Sequence, residues 1–126
     1  MLTSTMNVRT VRLENRREEL FQCFSKQCID ILGIQEHRIV HEDTPVRYEE
    51  MLGNTLITTS AWRNSTGAAQ GGVGILISGR VAKCLAGVKS HSPRVIRVNF
   101  TGNPACTIIV GYAPTSSASE DECNDF

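Results

Sequence analysis

The run Ile29-Asp30-Ile31-Leu32-Gly33-Ile34 constrains this chain more than any other. Nearly all of it is apolar, without the alternation of a half-wet strand, which predicts a strand covered on both faces. Upstream, Leu2 to Val8 reads as a short strand ending in Asn7-Val8-Arg9-Thr10. A helix is predicted between them, from about Asn15 as N-cap to near Cys28. Glu18 and Glu19 lie in its first turns, where the helix dipole favours anions. Leu20, Cys23, Phe24 and Gln27 recur at helical spacing and mark its inward face. Strand, helix and strand within about thirty residues make a βαβ unit, so the two strands are expected to lie parallel.

The rest of the chain reads mainly as sheet. Residues His37 to Tyr48 are polar, contain Pro45, and are predicted as a loop or a short irregular helix. Thr55 to Trp62 is β-prone, Asn64 to Gly72 a turn-rich connector, and Gly71 to Ser78 a strand entered through glycines. Ile96, Val98 and Phe100 alternate with Arg97 and Asn99, as in a half-buried strand. The turn Thr101-Gly102-Asn103-Pro104 then returns the chain along Ala105 to Tyr112. Ser119 followed by Glu122 has the spacing of a capping box, which would open a helix from Ala118.

At 126 residues and 40% apolar content the chain matches one modest domain. No apolar run approaches the length needed to cross a bilayer, so no membrane partner is expected. Five cysteines, an odd number, without a signal-like start predict reduced thiols in an intracellular protein, with nucleus and cytoplasm undistinguished. The formal net charge is 0, yet Met51 to Ser119 holds Arg63, Arg80, Lys83, Lys89, Arg94 and Arg97 and no acid. Such a block attracts phosphates. It equally describes a solvated surface whose acids lie elsewhere in the fold.

Glu36 is the leading candidate site residue. It follows Gln35 at the C-terminal end of the buried strand, where α/β proteins present side chains to ligands. A carboxylate there needs a cation or a donor. Asn7 ends the first strand on the same expected edge, as a hydrogen-bonding amide or simply a turn cap. Tyr112, in Gly111-Tyr112-Ala113-Pro114, offers a phenol to a phosphate or an aromatic cover to the sheet. Cys23, Cys28, His37 and His41 invite a zinc reading, but a core strand separates the pairs where a finger has its turn and helix. Gly71-Gly72-Val73-Gly74 lacks the Gly-Lys-Ser/Thr of a phosphate loop and reads as glycines allowing close approach. His91 falls in a polar stretch with Ser90 and Ser92, predicted as loop.

Together these segments resemble the N-terminal half of the endonuclease/exonuclease/phosphatase (DNase I-like) domain. The stretches that carry the likeness are Met6-Asn7-Val8-Arg9-Thr10, Ile29 to Arg38 with its Gln35-Glu36, Gly71 to Leu76, and Ile108 to Thr115. Ser60-Ala61-Trp62-Arg63-Asn64 and Ser92-Pro93-Arg94 look most like the non-LTR retroelement branch, with its craniofacial-development-protein-2-like relatives. The resemblance implies a nucleic-acid (DNA) substrate and Mg²⁺-assisted attack of water on a phosphodiester. Glu36 would be the metal ligand, Asn7 its supporting amide, Tyr112 a contact to the scissile phosphate and Arg38 a contact to the backbone.

The family's later motifs, Gly-Asp-x-Asn and a terminal Ser-Asp-His, have no counterpart up to Phe126; Asp121, Asp125 and His91 do not replace them. The implied fold is therefore a truncated four-layer α/β sandwich lacking its C-terminal half. It would have mainly one mixed sheet, an N-terminal βαβ unit and one flanking helix. Such a chain is expected to be inactive, or nearly so, alone. It would expose the Ile96/Val98/Phe100 and Ile108/Val110 faces, and so self-associate or await the missing half. A non-enzymatic nucleic-acid-binding or interaction module is the competing expectation.

Overall fold

The computed structural model describes residues 1–114; the predicted helix from Ala118, together with Thr115, Asp121 and Asp125, lies outside them. In chain order the elements are β1 (Thr3–Asn7), α1 (Glu14–Lys26), β2 (Ile31–Gln35), β3 (Val46–Met51), β4 (Asn54–Thr59), β5 (Trp62–Arg63), β6 (Ala69–Gln70), β7 (Val73–Ile77), α2 (Gly79–Ala82), β8 (Leu85–Ser92), β9 (Val95–Phe100) and β10 (Cys106–Gly111). The fold is α/β, and mostly β.

The expected βαβ unit is present. Strands β1 and β2 pair in parallel, with Asn7 opposite Gln35. They form one side of a mixed five-stranded sheet of order β1-β2-β7-β4-β3, in which every other pairing is antiparallel. The C-terminal ends of β1, β2 and β4 therefore share one edge with the start of β7. At the opposite end the buried Asp30 carboxylate accepts the Leu2 N–H at 2.8 Å and pairs with Arg80, pinning the chain just before β1.

Helix α1 covers one face of this sheet. Leu20, Phe21 and Phe24 bury against Leu32, Ile34, Leu56 and Leu76, with Val11 and Ile39 completing the layer. Two details differ from the sequence pattern. Phe21 rather than Cys23 joins the inward stripe, and Cys23 and Gln27 are exposed. The N-cap is Leu13, without a side-chain cap, so Asn15 sits inside the first turn. Arg17 accounts for the earlier start. Its guanidinium donates to the carbonyls of Val11 (3.1 Å) and Arg12 (2.6 Å) and pairs with Glu49 on β3 at 2.8 Å, tying the incoming loop to the sheet.

The other face corrects the expectation of mainly one sheet. Strands β8, β9 and β10 form a separate antiparallel sheet of order β10-β9-β8, and β5 and β6 make a small two-stranded ribbon. Ile96, Val98, Phe100 and Val110 do not await a missing layer. They are buried against Ile31, Ile57, Val73, Ile75 and Ile77 of the five-stranded sheet, with Ile108 packed beside them. These faces, expected to be open and to drive self-association, belong to the described core instead. Of the large apolar side chains on these strands only Ile109, 64% exposed, faces solvent.

The sequence pattern also missed three strands, of which the two-residue β6 lies in the stretch predicted as a turn-rich connector. Val46 to Tyr48, predicted as loop, begin β3, where an exposed edge strand tolerates Arg47, Glu49 and Glu50. Residues 85–92, including His91, form β8, whose half-exposed position on the smaller sheet leaves it few apolar residues to announce it.

Because Ile75 lies at the centre of the layer between the sheets and is fully buried, Ile75→Ala is expected to cost about 2–5 kcal/mol of stability by urea unfolding. Ile109→Ala, on the wet face, is expected to stay within about 0.5 kcal/mol. Equal effects would mean that the two sheets do not share a core.

Candidate functional site

At the shared edge the chain leaves β2 through an unusual turn. Glu36 adopts φ 59° and Arg38 φ 58°, both in the left-handed region that side chains with a Cβ avoid at a cost of roughly 1–3 kcal/mol. The surroundings enforce it. On one side the carbonyls of Gln35, Glu36 and His37 accept the N–H groups of Val8 (3.0 Å), Thr10 (2.7 Å) and Val11 (3.0 Å). On the other, the Arg38 N–H donates to the Gly71 carbonyl at 2.9 Å. A left-handed residue cannot continue the pleat, so the alternation of β2 ends at Glu36.

The Glu36 side chain is 20% exposed and meets two partners. The Tyr112 hydroxyl donates to its Oε1, and Arg38 Nη2 stands 3.9 Å from its Oε2. Tyr112 follows β10 in the second sheet, so this contact spans both layers. The hydrogen bond to Glu36, reinforced by partial burial, raises the phenol above its usual range and keeps the proton on oxygen.

Of the four residues singled out from the sequence, three meet here: Glu36, Tyr112 and Arg38. Asn7 lies on the same edge, one register step back, exposed and without a hydrogen bond to Glu36. Its Oδ1 accepts the Arg9 N–H at 3.1 Å, which makes it the cap of the turn in which Arg9 and Thr10 also take positive φ.

The sequence pattern missed Arg94 and Trp62. Arg94, in the β8–β9 turn, places its guanidinium carbon 4.6 Å from the centre of the Trp62 ring and 5.8 Å from that of Tyr112. The nearest signal was their membership in the Ser60-to-Asn64 and Ser92-to-Arg94 stretches.

The glycines of this stretch permit close approach, as read: a Cβ on Gly74 would fall 2.7 Å from the Ile57 carbonyl oxygen of the neighbouring strand β4, while Gly71 and Gly72 make way for side chains. A Cβ on Gly71 would fall 2.0 Å from Trp62 Cη2, and one on Gly72 would fall 2.3 Å from His37 Cε1. Both have positive φ. His37 is fully buried; its Nδ1 accepts the Ile39 N–H at 2.9 Å, so Nε2 carries the proton, 3.2 Å from the Val73 carbonyl. His41 is buried separately, with Nδ1 2.6 Å from the Thr44 carbonyl, while Cys23 and Cys28 are exposed. Among the described residues no three His, Cys, Asp or Glu side chains gather as a metal-holding group. No helix there is long and apolar enough to cross a membrane.

Burial pushes the His37 imidazole from 6.5 down to about 4. The unfolded chain therefore binds a proton that the folded one refuses, so this contribution is complete above pH 6.5 and shrinks as pH falls toward 4. The loss at pH 4 is expected to be about 3 kcal/mol. Urea midpoints of the wild type and His37→Gln between pH 7 and pH 4 check this: the variant is expected to lose that part of the slope, and parallel curves would refute it.

A scan against protein-family models and a search of the curated proteins return no match for this chain.

Proposed function

We propose that this chain carries part of a Mg²⁺-assisted phosphodiesterase site of the endonuclease/exonuclease/phosphatase, DNase I-like kind, acting on nucleic acid and cleaving slowly by itself. One observation carries the reading. A half-buried carboxylate, Glu36, sits where two parallel strands end, bonded by a phenol from the facing sheet and flanked by Arg38. A carboxylate, a neutral proton donor and an exposed arginine are the set that a phosphate with its counter-ion calls for.

The donor chemistry suits a hard cation. Mg²⁺ is usually held by one or two carboxylates, with water and substrate phosphate completing its shell. Glu36 would supply the carboxylate oxygens, and the exposed Asn7 on the same edge would offer the second lone pair of its amide oxygen, which already accepts the Arg9 N–H. When bound, the ion would supply Lewis-acid polarisation of a phosphoryl oxygen. The chain's own residues do the rest. The protonated Tyr112 hydroxyl orients Glu36 and can donate to a phosphate oxygen in turn. Arg38, with its side chain 43% exposed, can leave its loose contact with Glu36 for the phosphate backbone.

Slow cleavage fits the Glu36 edge, where the described side-chain partners of the carboxylate are Tyr112 and Arg38, neither of them a base to activate water. His37, the nearest histidine in sequence, has both ring nitrogens hydrogen-bonded in the interior.

The basic, acid-free stretch from Met51 to Ser119 favours a second reading, a nucleic-acid-binding module without chemistry. Binding and nicking of labelled abasic and plain duplex DNA, with Mg²⁺ and with chelator, separate the two. The expected result is Mg²⁺-dependent binding with slow nicking, and Glu36→Ala is expected to cut the rate on the order of a hundredfold or more. Salt-sensitive binding indifferent to both chelator and Glu36→Ala would replace the first reading with the second.

A further inference from the structure

The contacts around Glu36 close into a ring. Glu36 lies beside Arg38, whose N–H bonds the Gly71 carbonyl. Gly71 lies against the Trp62 ring so tightly that no side chain fits between them. Trp62 stacks on Arg94, Arg94 lies over Tyr112, and the Tyr112 hydroxyl returns to Glu36. The ring joins the end of β2, the loop before β7, the start of β5, the β8–β9 turn and the chain after β10.

Arg94 makes the most connections in it. Its carbonyl accepts the Tyr112 N–H at 2.9 Å, and its Nη1 donates to the Tyr112 carbonyl at 3.3 Å, so both main-chain polar groups of Tyr112 are tied to one residue. The turn that presents Arg94 is itself fixed, because the Arg94 N–H donates to Ser92 Oγ at 3.1 Å and Ser90 Oγ bonds the Ser92 carbonyl at 3.3 Å. A guanidinium suits this place, since its plane stacks on aromatic faces while its edge donates hydrogen bonds; a lysine ammonium can do only part of this.

We propose that Arg94 is the positioning residue of this site, braced by Trp62, and that it acts by holding the Tyr112 phenol on Glu36. The inference rests on the reading of Glu36 and Tyr112 as the functional pair. Without the guanidinium, the chain after β10 keeps the Tyr112 N–H bond to the Arg94 carbonyl and the packing of the ring against the core, but loses the bond to the Tyr112 carbonyl and the cation over the ring. The hydroxyl would then swing off the carboxylate, leaving Arg38 as the partner of Glu36.

A double-mutant cycle on the whole chain tests this, with Arg94→Lys, Tyr112→Phe and the double variant compared with wild type. Single-turnover nicking of abasic duplex DNA in Mg²⁺ is one measurement and thermal midpoint the other. Emission of Trp62, the only tryptophan, reports whether each variant is folded. Arg94→Lys is expected to slow nicking by about tenfold to a hundredfold in the wild-type background and hardly at all in Tyr112→Phe. Its lowering of the thermal midpoint is expected to shrink in the same way. Equal effects in both backgrounds would overturn the inference. If the wild type neither nicks nor binds DNA in a Mg²⁺-dependent manner, the functional reading fails; the thermal cycle then still decides whether Arg94 works through the Tyr112 hydroxyl.

Discussion

Close packing of the three-stranded sheet on the five-stranded one is the constraint on which the rest depends. Strand β10 crosses β2 closely at Gly33, where a Cβ would stand 3.0 Å from a Val110 methyl and push it by a few tenths of an ångström. That approach buries Ile96, Val98, Phe100 and Val110 in a shared core with Ile31, Ile57 and Ile75. It also fixes where β10 ends. Two residues after Val110 the chain reaches Tyr112, directly over the carboxylate that ends β2. A looser layer would lose apolar burial and the Glu36–Tyr112 contact together, so stability and site geometry share one physical origin.

The second constraint is backbone strain at the edge. Left-handed conformations at Glu36 and Arg38 are unfavourable for both residue types, and they are held by hydrogen bonds from the β1–α1 loop and from Gly71. The outcome is local and chemical. The carboxylate leaves the face covered by α1, where it would be desolvated without compensation, and turns to a phenol and an arginine. Gly71 and Gly72 belong to the same arrangement, since each gives up its side chain so that Trp62 and His37 can approach the loop.

The elements that were legible in the sequence are those whose pattern is set by burial on both faces or by period. Strand β2, the parallel βαβ unit, β7 after its glycines and the β9–β10 hairpin fall in this class. Strands β3 and β8 were not legible: an exposed edge and a half-covered sheet select few apolar residues, so polar sequence and strand coexist there. The stripe on α1 was read one residue off because Cys23 and Phe21 both lie near the helix's inner border, and only the sheet beneath decides which one is buried.

Sequence by itself determined that a carboxylate and an amide end two neighbouring parallel strands, because chain direction and register follow from hydrophobic pattern and connection length. It also marked the phenol after the last strand and the arginine two residues beyond Glu36. Tertiary structure alone decided that the phenol lies on the carboxylate and that Arg94 and Trp62 stand behind Tyr112. Those contacts join residues far apart in the chain. Their geometry depends on how two sheets settle face to face, and sequence spacing does not encode that distance.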